Sequence, residues 1–102
     1  MRASSNNAAV RVGILRMRLL IRESHSLKEK RSVIKSIKDR LKNKFNISVA
    51  EVGNLDNRQF ADICVAFVSN DGRFTESTLS KVLGYARQNP YAEITSSEIE
   101  IL

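Results

Sequence analysis

A one-sided row of basic residues is the feature of this sequence best suited to bind a charged ligand. The segment from Leu27 to Phe45 holds eight of the seventeen lysines and arginines of the chain but only two of its eleven acids. It therefore carries a net charge of +6, whereas the rest of the chain is neutral. An α-helix turns by about 100° per residue, which aligns five of these bases along one flank. We call this set the basic row: Lys28, Arg31, Lys35, Lys38 and Lys42.

The basic row has the length and charge of a phosphate-binding surface. It extends over about 21 Å at about 1.5 Å per residue, which matches about six phosphate steps along one nucleic-acid strand. Only Asp39 is placed to neutralise part of it, through Lys35 or Lys42 at helical neighbour spacing. The sequence thus predicts phosphate contacts from the row. The alternative interpretation is a solvated helix face that lends solubility.

A second cluster of polar and basic residues lies where the same helix is predicted to begin. Free N–H groups and the helix dipole favour an anion at such a position. The predicted anion-binding side chains are those of Arg22, His25, Ser26 and Lys30. An enzyme acting on a small phosphorylated ligand is the weaker alternative here. No paired carboxylates or activated nucleophile accompany the cluster, so no catalytic residue and no enzymatic activity are predicted.

The cysteine and histidine content narrows the possible sites further. Cys64 is the only cysteine and His25 the only histidine, which excludes an internal disulfide and the usual zinc sites. We predict no metal and no cofactor. Cys64 lies in an apolar run and is expected to be a small buried core residue. The first apolar run is interrupted by arginines, so it is neither a signal peptide nor a membrane span, and the expected location is cytoplasmic.

Six elements are predicted to position these residues. Residues 1–9 are polar and small and are expected to form a flexible leader, followed by a single domain over residues 10–102. Ser26 and Glu29 form a capping box at the start of the first helix, and residues 70–72 form a turn before the second. A bulge is predicted near residues 13–15 of the first strand. The elements are strand 10–21, helix 27–45, strand 47–52, strand 61–69, helix 74–86 and strand 94–102.

This order of elements is the split βαβ pattern of an α+β, ferredoxin-like βαββαβ sandwich. Right-handed crossovers place both helices on one face of a four-stranded antiparallel sheet in the order 4-1-3-2. Glu98 and Glu100 of the last strand are then expected to face Arg16 and Arg18 of the first. The sheet lacks the aromatic residues on which RNA-recognition motifs stack bases, so reading of single-stranded bases on the sheet is not predicted.

Three short strings carry a resemblance to a known family. They are His25-Ser26-Leu27-Lys28-Glu29-Lys30-Arg31, Val49-Ala50-Glu51-Val52 and Val68-Ser69-Asn70-Asp71. With them the chain resembles, from about residue 10 to 102, the YlxP-like family, a bacterial domain of unknown function. The resemblance implies a ferredoxin-like fold and a gene found beside translation and ribosome-maturation factors, but no activity. The chain departs from the family pattern over residues 53–60, where a His or Gln and a Trp are commoner, so no shared site is expected there.

These observations favour a non-enzymatic accessory protein that docks on structured RNA, either the ribosome or a precursor. Phosphate contacts from the basic row would read the shape of the RNA and not its sequence. The alternative hypothesis is a homo-oligomeric interaction module with no role in nucleic-acid binding. It would associate through the exposed edges of strands two and four or through the helix-free face of the sheet.

Overall fold

One antiparallel sheet with two helices on a single side forms the domain, in a computed structural model that describes residues 9–102. The sheet order is β2-β3-β1-β4, which confirms the predicted ferredoxin-like sandwich. Residues 1–8 of the predicted leader lie outside the described residues. The elements are β1 (Arg11–Leu20), α1 (Leu27–Lys44), β2 (Ser48–Gly53), β3 (Phe60–Ser69), α2 (Gly72–Ala86) and β4 (Glu93–Ile101).

The core lies between the sheet and the two helices. Side chains alternate along a strand, so the odd-numbered residues of β1 and β3 point to the helices, and most of them are buried, among them Leu15, Met17 and Ile63. From the helices, Ile34, Ile37 and Leu41 of α1 pack against this layer, as do Leu79 and Val82 of α2. Helix α1 lies over the edge strand β2, and α2 lies over β1, β3 and β4. The helical spacing of apolar residues therefore predicted most of both buried faces, whereas Phe74, which the same spacing assigns to the buried face of α2, is exposed.

The opposite side of the sheet has no helix on it, and we call it the open sheet face. The apolar run of β3 led to the prediction that Cys64 is a buried core residue. That prediction was wrong. Cys64 points to the open sheet face and is only half-buried. An apolar run cannot distinguish a strand that is buried on both faces from one whose outer face is apolar but uncovered.

The predicted bulge near residues 13–15 is also absent from the structure. Strand β1 pairs with β3 in unbroken register from Arg11 to Leu20. The irregularity lies instead in the pairing with β4, between Arg18 and Leu19, where Thr95 has no partner. The sequence pattern was misleading because Gly13 occupies an inward position that an apolar side chain would normally fill. The apolar residues on either side of it point outward, and their spacing was interpreted as a shift in the alternation of the strand.

Gly13 allows α2 to approach the sheet closely. A Cβ atom at Gly13 would lie 2.7 Å from Cδ1 of Leu79 and closer still to the side chain of Thr75, and both of these residues are fully buried. We expect Gly13→Ala to lower the free energy of unfolding by about 1–3 kcal/mol through overpacking. Gly84→Ala is the matched control, because a Cβ atom there meets no neighbour within 4 Å.

The control should be stabilising by about 0.5–1 kcal/mol, since alanine is the better residue within a helix. Urea unfolding followed by circular dichroism measures both variants. Equal effects of the two substitutions would contradict the close approach of α2 to β1 at Gly13.

Candidate nucleic-acid interface

The basic row lies on the solvent-facing flank of α1. The other flank faces α2, where Ile37, Arg40 and Leu41 line a cleft of about 140 Å³ together with Tyr85 of the second helix and Gln88 just after it. Helical geometry places the row on the side away from this cleft, next to the sheet edge formed by β2. Four side chains of the row are exposed and Lys38 is half-buried. The row is therefore accessible to a large partner.

One member of the row is partly neutralised within its own helix. Nζ of Lys35 lies 2.7 Å from Oδ2 of Asp39, and both side chains are exposed. The hydrogen bond from Lys35 lowers the pKa of Asp39, and the same bond raises the pKa of Lys35. The rest of the row makes no ion pair with any residue from 9 to 102: Lys28, Arg31, Lys38 and Lys42.

The start of α1 is capped by its own side chains. Oγ of Ser26 accepts a hydrogen bond from the Glu29 amide at 3.1 Å, and the Glu29 carboxylate accepts one from the His25 amide at 2.7 Å. The capping box predicted from the sequence is thus present, with the glutamate reaching one residue further back than usual. A carboxylate already sits beside the first turn, where the anion was expected to bind.

The predicted anion-binding side chains do not form one open site. Arg22 pairs with Glu93 at 3.0 Å, Ser26 acts as the helix cap, and Lys30 is fully buried. His25 is exposed. With two of the four side chains directed to carboxylates, the arrangement gives no support to a phospho-ligand site at this corner. From residue 9 to 102, no group of three or more His, Cys, Asp and Glu side chains is placed to hold a metal ion.

Lys30 belongs to a buried ion pair that joins α1 to β2. Its Nζ lies 2.9 Å from Oε2 of Glu51 and donates a hydrogen bond to the carbonyl of Asn54 at 2.6 Å. Oε2 of Glu51 is buried, and its contact with the ammonium group is close but lacks the geometry of a hydrogen bond. Asn54 has a φ of 58°, a left-handed conformation that asparagine tolerates. This conformation presents its carbonyl to Lys30.

A chain of polar contacts continues from this pair to the open sheet face. Nδ2 of Asn54 donates to Oδ2 of Asp62 at 3.1 Å, and Nε of Arg18 donates to Oδ1 of Asp62 at 2.7 Å. The hydrogen bond from Arg18 is the main reason that the pKa of Asp62 lies below its usual range. Helix α1 is thus held to the end of β2 and to the inner strands by linked charged groups.

The sequence itself contains a signal for this buried pair. Lys30 precedes Ile34 by four residues and Ile37 by seven, which places it on the buried arc of the helix and not in the basic row. Glu51 lies two residues after Val49, so both side chains point to the inward side of β2. A lysine and a glutamate at inward positions of neighbouring elements indicate an internal ion pair, because neither charge is stable there alone.

The arginines of β1 pair with carboxylates, one as predicted and one differently. Arg16 contacts Glu98 at 3.2 Å and Glu100 at 2.9 Å across the pair of strands. The prediction was wrong for Arg18, which pairs with Asp62 of β3. The register explains the difference, because Arg18 lies opposite Ser96 on β4 and opposite Asp62 on β3.

Comparisons with known proteins identify the family of this chain and show a similar fold. A family model described as "Protein of unknown function (DUF503)" matches residues 12–99. The chain is 37% identical over 89 residues to "Uncharacterized protein YlxP" of Bacillus subtilis (strain 168), covering 87% of this chain and 97% of that protein. The solved structure of "De novo designed protein Foldit4" is similar in fold, with a TM-score of 0.52 at 19% identity, over 91% of this chain and 96% of the designed one. The chain belongs to the DUF503 family, the YlxP-like family to which its sequence strings pointed.

Proposed function

We propose that this protein is a cytoplasmic, non-enzymatic accessory protein that docks on structured RNA through the basic row of α1. The observation that carries the proposal is the solvent-facing position of the row, together with the lack of an ion pair, among residues 9–102, at four of its five members. The net charge of the whole chain resides in this helix. A surface of this kind is attracted to a polyanion by long-range electrostatics.

The buried pair of Lys30 and Glu51 affects how positive charge is distributed between the interior and the surface of the helix. It withdraws one of the eight bases of the segment into the interior, so the positive charge that remains is carried by exposed and half-exposed side chains. It also anchors α1 over the edge strand β2, with the row on the flank of the helix away from α2. Because the helix is held in place on the sheet, the five side chains can contact a phosphate backbone together.

The chemistry of the row favours duplex or folded RNA over a sequence-specific site. Lysine binds phosphate as a flexible point charge and provides little geometric selectivity. Duplex RNA hides its base edges in a narrow major groove, so a lysine-rich helix follows its backbone and its shape. The choice of the ribosome or a precursor of it rests on the gene neighbourhood that the family resemblance implies.

Salt dependence is the experiment that tests this function. Each phosphate contact releases counterions, so affinity for RNA should fall steeply and linearly on logarithmic axes as salt is added. A protein whose row only lends solubility would bind neither duplex RNA nor ribosomes at low salt. Binding of purified protein to a labelled RNA duplex, titrated at several salt concentrations, distinguishes phosphate binding by the row from a role in solubility alone.

A further inference from the structure

The open sheet face carries an apolar area that the proposed RNA contact does not use. Antiparallel sheets with one solvated side usually present polar residues outward, and this sheet does so at only one end. At the other end the outward residues of the two inner strands are apolar, with Ser48 and Glu100 beside them on the edge strands, and Val68 and Leu102 are more than 60% exposed. The strand registers bring five such residues together: Val12, Ile14, Ala66, Val68 and Leu102. An exposed cluster of this kind marks a surface that another molecule covers.

The charged side chains of the open sheet face are paired within the chain, two arginines with three carboxylates. Arg16 pairs with the two glutamates of β4, and Arg18 pairs with Asp62 of β3. The two glutamates stand on an edge strand, so they would remain at the hydrated rim of a contact. A partner for this face need not supply opposite charge, which distinguishes it from the basic row on the other side of the sheet.

A second copy of the same chain satisfies these conditions. Two copies that each carry a net charge of +6 repel each other wherever their basic rows approach. With the sheets face to face, the rows lie on opposite outer sides, roughly 30 Å apart if layers are spaced by about 10 Å. This separation is about three Debye lengths at about 0.1 M salt, so repulsion is largely screened.

The size of the face suits a stable dimer. Thirty-five strand residues at about 3.3 Å per residue, in strands about 4.8 Å apart, give a projected area of about 550 Å² before side-chain relief is added. A standard protein interface buries about 800 Å² on each partner. A shallow groove of about 640 Å³, lined by Arg16, Val52 and Cys64 among others, provides relief for interlocking side chains.

We propose that the open sheet face packs against the same face of a second copy, about a two-fold axis that passes near Cys64. Cys64 lies at midlength of β3, one of the two inner strands, and is therefore close to the centre of the face. It is also the only cysteine in the chain. The axis brings the two Cys64 thiols of the dimer close to each other, which makes them a native probe of the arrangement.

Two measurements test the dimer. Light scattering after size exclusion should give twice the chain mass of 11.5 kDa, with or without nuclease treatment. A short bismaleimide should yield a covalent dimer of the wild-type protein, which must join two Cys64 side chains. Ala66→Arg, which adds a cation between Ile14 and Ser48 in the apolar part of the contact, should give the monomer mass and lose the cross-link. Ser80→Arg on the exposed surface of α2 is the matched control and should remain dimeric.

Either of two results would overturn the proposal. The first is a monomer mass for the wild-type protein up to about 100 μM, well above the Kd of a standard-sized interface. This result would leave the face to a different partner. The second is a dimer that neither cross-links at Cys64 nor responds to Ala66→Arg, which would place the contact on a sheet edge. Because the cross-link needs no substitution, the outcome does not depend on the folding of a variant.

Discussion

Charge reversal at three members of the basic row, K35E/K38E/K42E, is expected to lower affinity for duplex RNA about a hundred- to a thousandfold at about 0.1 M salt. Each phosphate contact contributes about one power of ten at that salt concentration, because its counterions are no longer released when the contact is lost. The three side chains are exposed or half-buried and lie on the flank away from α2, so their replacement should leave the fold intact. Filter binding or co-sedimentation with ribosomes measures the loss.

A control variant with the same change in net charge shows whether RNA binds at the basic row or is attracted by the total charge of the protein. R58E/R73E/K81E alters three exposed bases outside α1, none of which forms an ion pair with the residues that the structure describes. This variant should lose much less affinity, since none of its substitutions falls within the row. Equal losses in the two triple variants would mean that total charge governs the binding. Circular dichroism should show unchanged helix content in both.

Replacement of Lys30 by methionine is expected to lower the free energy of unfolding by about 3–5 kcal/mol. The substitution leaves the carboxylate of Glu51 buried without its ammonium partner, and leaves the Asn54 carbonyl without its donor. This penalty is a large part of the stability of a domain of this size, which is about 5–15 kcal/mol. Urea unfolding measures it.

Two further variants assign the cause of that loss. Lys81→Met changes an exposed lysine of α2 and should remain within about 0.5 kcal/mol of the wild-type protein. The double variant K30M/E51L replaces both charges by apolar groups and should recover most of the stability, because no buried charge is left unpaired. A K30M protein as stable as the K81M protein would contradict the burial of this pair.

The parts of the structure that follow local periodicity were predictable from the sequence. Alternation along β1 and β3, helical spacing in α1 and α2, and the capping box at Ser26 and Glu29 together determine the order of elements and the side on which the helices pack. The basic row was also predictable, because its members share one flank of a helix whose other residues define the buried arc.

The features that the sequence analysis missed depend on contacts between distant elements. Lys30 was assigned to an anion site because it adjoins Lys28 and Arg31 along the chain, whereas its position on the helix directs it to Glu51. Arg18 pairs with Asp62 because the register with β3 places them opposite each other. Cys64 was assigned to the core because an apolar run does not show which faces of a sheet are covered.

The slope of RNA affinity against salt concentration is the most direct test of the central claim, that the basic row binds phosphates. On logarithmic axes the wild-type protein should show a slope of about −4 to −5, which corresponds to five phosphate contacts. The neutral variant K35Q/K38Q/K42Q should lower the magnitude of that slope by about three, one for each contact removed. A slope near zero in the wild-type protein, or an unchanged slope in the variant, would contradict the claim.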